Sequence, residues 1–191
     1  MNIFKIDSWD FFGIYQTKKI KILHMLILLL VISQIIVSNW MMGTKSVVPP
    51  FFDMIYLFTW IHIFSGFVLL FLTFFLVLSC FKQRGLRYFY PYLWGDFKQI
   101  KEDIRYLLAK KLPDSAPKGL AATVQGLGLG ALSIVILSGV AWFILWLQQS
   151  AFTLEARSIH KSLTILIEIY IYAHGTLGII HFVIWKKHKG K

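Results

Sequence analysis

The sequence predicts an all-α integral membrane protein: an up-down-up-down bundle of four helices spanning residues 1–191 as a single domain, with both termini cytoplasmic. Three observations predict it. Of the 191 residues, 57% are hydrophobic and only 15% charged, with a mean hydropathy of +0.66, far from the composition of a soluble domain. Four segments supply the roughly 20 apolar residues that a spanning helix needs. Lysine and arginine are also unevenly placed: 17 lie before the first segment, between the second and third, or after the fourth, and 3 lie in the other two loops. That asymmetry puts the basic side in the cytoplasm.

The first helix is expected at about residues 19–40, where Ile22–Trp40 holds one histidine and no charge. The residues before it are too polar for a secretory signal, because Asp7 and Asp10 interrupt them and no small-residue cleavage site follows. Pro49 and Pro50 then stop any helix and lead an extended chain into the second helix, about 52–80, whose apolar run Met54–Cys80 again carries one histidine and no charge. Between the second and third helices, Trp94, Phe97, Ile100, Ile104, Leu107 and Leu108 recur at spacings of three and four, with Lys98, Lys101, Lys110 and Lys111 around them. This predicts a basic amphipathic helix at about 94–111, lying on the inner leaflet. The third helix, about 119–147, has no ionisable group. The fourth, about 158–186, carries Glu168 and several histidines within its apolar run.

The formal net charge of +11 does not indicate nucleic acid, because its distribution is accounted for by topology and by anionic lipid headgroups. The single cysteine, Cys80, excludes an internal disulfide, and no CxxCH or CxxC pair is present, which excludes covalent haem attachment and the usual iron–sulfur or zinc spacings. Cys80 reads as an apolar residue at the membrane edge.

Histidine carries the chemistry. Five of six lie in or at the edge of a predicted helix: His24, His62, His160, His174 and His181; His188 falls in the basic tail. Polar groups within a bilayer must be satisfied inside the bundle, so five require a common explanation. At 100° per residue, the 14 residues from His160 to His174 fall 40° short of four turns, and the 7 from His174 to His181 fall 20° short of two, so all three share one face. At about 1.5 Å per residue, His24 and His62 differ in depth by roughly 25 Å, and His160 and His174 by roughly 21 Å. Two histidine pairs at two depths are what bis-histidine haem ligation requires. Zinc instead gathers three or four ligands at one point. Depth alone does not choose between His174 and His181 as the partner of His24. Gly66, Gly126, Gly128, Gly130, Gly139, Gly175 and Gly178 fit either close approach of a flat cofactor or helix packing of the GxxxG kind.

These histidines, in KILHMLILLL, WIHIFSGF and IHKSLTILIEIYIYAHGTLGIIHF, together with Gln125 and the ILSG at 136–139, resemble the bacterial b561-type cytochromes and the related cytochrome b subunits of membrane nickel–iron hydrogenases and formate dehydrogenases. The resemblance covers about residues 15–188. It implies two non-covalent b haems, with His24 and His174 holding an inner one and His62 and His160 an outer one; it favours His174 over His181, leaving His181 as an alternative inner ligand or a residue behind it. The chain departs from the hydrogenase and dehydrogenase members at Ala121 and Ala122, where a polar residue would precede Gln125.

The function expected is transmembrane electron transfer between the quinone pool and a periplasmic redox partner, by an electron-transfer protein or a quinone-linked oxidoreductase subunit of the bacterial inner membrane. Arg157 and Lys161 are candidates for pairing with haem propionates, and Gln125 for binding quinone or quinol. A second reading is a membrane anchor for a periplasmic dehydrogenase or hydrogenase. A third is a histidine-based metal or proton transporter, which discontinuous helices would support. Glu168 lies 80° around the fourth helix from His160, off the histidine stripe; a helix–helix hydrogen bond is its simplest role, and a proton relay is the alternative.

Overall fold

The computed structural model describes residues 17–41, 56–113 and 115–189, with side chains to residue 187. Asp7, Asp10, Lys45, Pro49, Pro50, the start of the second helix before residue 56 and the side chain of His188 lie outside the described residues. Among the described residues there are no strands. The helices are α1 (Lys18–Ser38), α2 (Leu57–Arg84), α3 (Leu86–Phe89), α4 (Lys98–Leu108), α5 (Leu120–Leu147) and α6 (Thr153–Lys189), with a 3₁₀ turn at Pro91–Trp94. α1, α2, α5 and α6 are each long and apolar enough to cross a membrane. The last of them starts about five residues earlier than the hydropathy pattern suggests, because Thr153 is buried and bonds the carbonyls of Leu145 and Ser150.

Each end has a local cause. Thr17 caps α1, its hydroxyl accepting from the amide of Ile20 at 3.5 Å. α2 stops at Gly85, whose φ of 77° is in the left-handed region that favours glycine, and Lys82 and Arg84 complement the negative end of its dipole. α5 begins beside an acid from another helix: the Asp103 carboxylate accepts from Leu120 N at 2.6 Å and from Gln99 Nε2 at 2.9 Å. Asp103 is buried, and it satisfies an amide that would otherwise be orphaned at a helix start. A Cβ at Gly119 would collide with that carboxylate, so only glycine allows the contact.

This bond also sets the pose of α4. Its polar side, with Asp103, packs on the bundle, while Phe97, Ile104, Leu107 and Leu108 are exposed. A soluble protein would turn that apolar face inward; here it faces outward, as a helix resting in a lipid surface requires. The segment before it is pinned to α5 by Tyr90, whose hydroxyl donates to Gly126 O at 2.7 Å, and by Asp96, which pairs with Lys118 at 3.0 Å and Arg87 at 3.5 Å.

The interior is a seam rather than a ball. One apolar cluster takes Ile27 and Val31 from α1, Leu69 and Leu76 from α2, Leu132, Val135 and Ile136 from α5 and Ile167 from α6. A second joins Ile63 to Trp142 and Trp146, whose rings stack with centroids 5.2 Å apart. Outward-facing residues stay apolar: Phe71 is 62% exposed and Leu137 59%, surface that lipid covers. Neighbours in sequence pack together, α1 on α2, α2 on α5 and α5 on α6.

Candidate haem sites

The histidines of α1 and α6 meet at one level and those of α2 and α6 at another. His24 faces His174 with ring centroids 6.2 Å apart and planes at 86°. His62 faces His160 at 6.3 Å and 76°. Two imidazoles sharing one metal ion need about 2 Å for each metal–nitrogen bond and about 1.1 Å from each nitrogen to its ring centre, or about 6.2 Å in all. Both pairs have that separation. Among the described residues no group of three or more His, Cys, Asp or Glu side chains is gathered to hold a metal ion, so a zinc cage is absent there.

The pair formed by His62 and His160 opens on a cavity of about 450 Å³, within the range of small-molecule sites. Ser138 on α5 orients His160: its hydroxyl donates to Val135 O at 2.7 Å, so its oxygen accepts from Nδ1–H of His160 at 2.9 Å. That leaves Nε2 with its lone pair free, the tautomer a metal ligand needs. Gln34 on α1 holds the other histidine's backbone, donating from Nε2 to His62 O at 3.0 Å and to Ser65 Oγ at 2.9 Å. Gly66 and Gly139 line the cavity, and a Cβ at Gly139 would stand 3.0 Å from the His160 ring. Two buried polar atoms here have no partner among the described residues, Oε1 of Gln34 and Nδ1 of His62.

Around His174 the wall is aromatic. Tyr170 stacks on its ring with centroids 5.0 Å apart and planes at 11°. The Tyr170 ring fills the space left by Gly128, where a Cβ would overlap it. Nδ1 of His24 is buried and unpartnered among the described residues. Lys21, one turn before His24, is 4% exposed.

Other candidates are placed less centrally. His181 bonds its own helix, ring Nδ1 to Leu177 O at 2.9 Å; His174, seven residues earlier, is the one whose ring meets His24. Arg157 and Lys161 line the cavity beside His160, and so does Glu168. Gln125 is half-buried on α5 and does not line that cavity. The glycines differ in what they accommodate. Gly126 packs against Phe89 and Gly128 against Tyr170, while a Cβ at Gly175 or Gly178 meets nothing within 4 Å. Sequence reasoning missed Gln34 and Ser138. Both are ordinary polar residues of a spanning helix, and their intramembrane position is the signal that could have singled them out.

Four spans with two facing histidine pairs on a shared fourth helix define a membrane cytochrome b class of protein. The chain belongs to the prokaryotic cytochrome b561 family, whose model matches residues 15–189. No curated protein and no solved structure matches it. Membership implies b-type haem and suggests transmembrane electron transfer through it.

Proposed function

We propose that the protein carries electrons across the bacterial inner membrane through two b haems, one held by His24 and His174 and the other by His62 and His160. The observation that carries this is the pair geometry, 6.2 and 6.3 Å between ring centres, which suits one iron between each pair. Haem supplies the one-electron chemistry. The chain's own side chains do the rest: Ser138 presents Nε2 of His160, Gln34 steadies the helix turn at His62, and the cations of Arg157 and Lys161 at the cavity offset the carboxylates of a porphyrin. Fourteen residues of helix separate His160 from His174, about 21 Å of membrane depth.

By the distribution of basic residues, both termini and α4 are cytoplasmic. The haem of His62 and His160 then faces the periplasm and a redox partner there, and the other end exchanges electrons with quinone or quinol near the cytoplasmic face. Gln125 is the quinone candidate the sequence offers. A membrane-anchor subunit of a periplasmic dehydrogenase or hydrogenase has the same electron path and is the second reading. The four spans are continuous helices, which favours a fixed wire over a transporter.

The test is direct. Protein purified in detergent is expected to give oxidised and dithionite-reduced b-type spectra with two haems per chain. One haem per chain would remove one of the two pairs, and none would remove the proposal. Co-purification of a periplasmic subunit from a native membrane separates the anchor from the stand-alone protein.

A further inference from the structure

Glu168 lies inside the apolar run of α6, and the electron path gives it no role. It is eight residues from His160 and six from His174, about 12 Å and about 9 Å along the helix axis, so its level is between the two histidine pairs. Its side chain is half-buried and lines the same cavity as His62 and His160. The cavity wall at this depth is apolar, with Val31, Leu69, Leu132 and Ile167 all buried. Among the described residues the Glu168 carboxyl has no hydrogen-bond or ion-pair partner.

The charged and titratable groups facing it across the cavity are few. α2 brings His62, and α6 brings His160, Arg157 and Lys161; α1 and α5 bring uncharged side chains. The two cations sit eleven and seven residues back along α6, about 16 Å and about 10 Å away along its axis. A carboxylate so placed is costly. Negative charge arriving nearby raises the cost, and a proton removes it.

We propose that Glu168 is a proton-exchanging carboxyl coupled to the redox centre of this cavity. This rests on the reading of His62 and His160 as a haem pair. His62 and His160 would hold the haem, which would supply the one-electron chemistry; with one electron added there by a reduced donor such as a quinol, the Glu168 carboxylate oxygen would take one proton from water at the cavity mouth. When a one-electron acceptor removes the electron, the O–H bond breaks and the proton returns to water. At about 12 Å and an effective dielectric near 20, electron and proton favour each other about tenfold, and the coupling is reciprocal.

The holoprotein tests it by visible redox titration across a pH series, with reduced-minus-oxidised infrared spectra. In the wild type the midpoint of the His62–His160 centre is expected to fall with rising pH by about 59 mV in all, the tenfold coupling converted for one electron. The infrared difference is expected to contain the C=O stretch of a protonated carboxyl. Glu168→Gln is expected to keep its haem-to-protein ratio, lose the pH dependence and lose that band; Glu168→Asp is expected to keep the band at a shifted position. An unchanged pH dependence in Glu168→Gln, or a wild-type difference spectrum without a carboxyl band, overturns the proposal while leaving the haem reading intact. Absence of haem from the wild type overturns both.

Discussion

The two histidine pairs have matching ring separations and unlike surroundings. His62 and His160 meet inside the bundle at a cavity that Trp142 also lines, with Gln34 and Ser138 holding them through hydrogen bonds. His24 and His174 meet where α6 leaves the bundle: residues 175–180 are exposed, and Gly175 and Gly178 have open space around them. In the first pair the His160 ring is oriented by Ser138 and the His62 backbone is held by Gln34; in the second the His174 ring is stacked on Tyr170 of its own helix. Orientation before binding lowers the cost of binding, so, under the two-haem proposal, the first pair is expected to need less ordering on binding than the second.

The strongest way to break the comparison is to remove one histidine from each pair. His62→Ala is expected to lower the haem ratio from two to one and leave the His24–His174 haem in place. His24→Ala is expected to lose its own haem and to loosen the end of α6 as well, read by hydrogen exchange in residues 172–187. Equal exchange in both variants would show that the two pairs are equally preorganised.

Next in size is Gly139→Leu. The added side chain begins 3.0 Å from the His160 ring, so the His62–His160 haem is expected to be lost and the other kept, by the same ratio. Ser138→Ala is gentler. His160 loses its hydrogen-bond acceptor, and haem affinity at that pair is expected to drop about 10–100-fold, measured by transfer of haem to an acceptor protein. No change in affinity would mean that Ser138 does not orient the ring.

Smaller effects fall at the basic end. Lys118, hydrogen-bonded to Asp96, holds its carboxyl below the usual carboxylate range, with Arg87 adding to it. A carboxyl so lowered stabilises the fold while charged, and that stabilisation is lost as pH falls through the lowered value. Limited proteolysis of residues 85–118 is therefore expected to speed up in acid in the wild type, and to be fast already at neutral pH in Asp96→Asn. Smallest of all is His181→Ala. Its ring bonds only its own helix, so the haem ratio is expected to stay at two; a loss would make His181 an inner ligand.

Much of the fold was legible because a bilayer simplifies the pattern. With lipid outside, a spanning helix shows as a long apolar run whatever it packs against, and α1, α5 and the apolar part of α6 lie close to where those runs predict. The histidine face of α6 was legible because helical periodicity is a local property. The amphipathic character of α4 was legible for that reason too, but its pose was not: Asp103 is one acid among neighbouring charges, and nothing local says that it caps α5, seventeen residues further on. Gln34 and Ser138 could be seen as polar residues within spans, but their partners were illegible on the same grounds, since His62, Ser65 and His160 are on other helices.

By itself, then, the sequence determined four apolar spans, a basic side and a histidine stripe, all consequences of composition and of the 3.6-residue turn. Only the tertiary structure brings the ring of His174, which the family resemblance favoured, against His24, aims His160 with Ser138, and opens Glu168 into the cavity. Those are matters of how helices rotate and tilt against one another, and rotation is set by packing across the seam, which no single helix encodes.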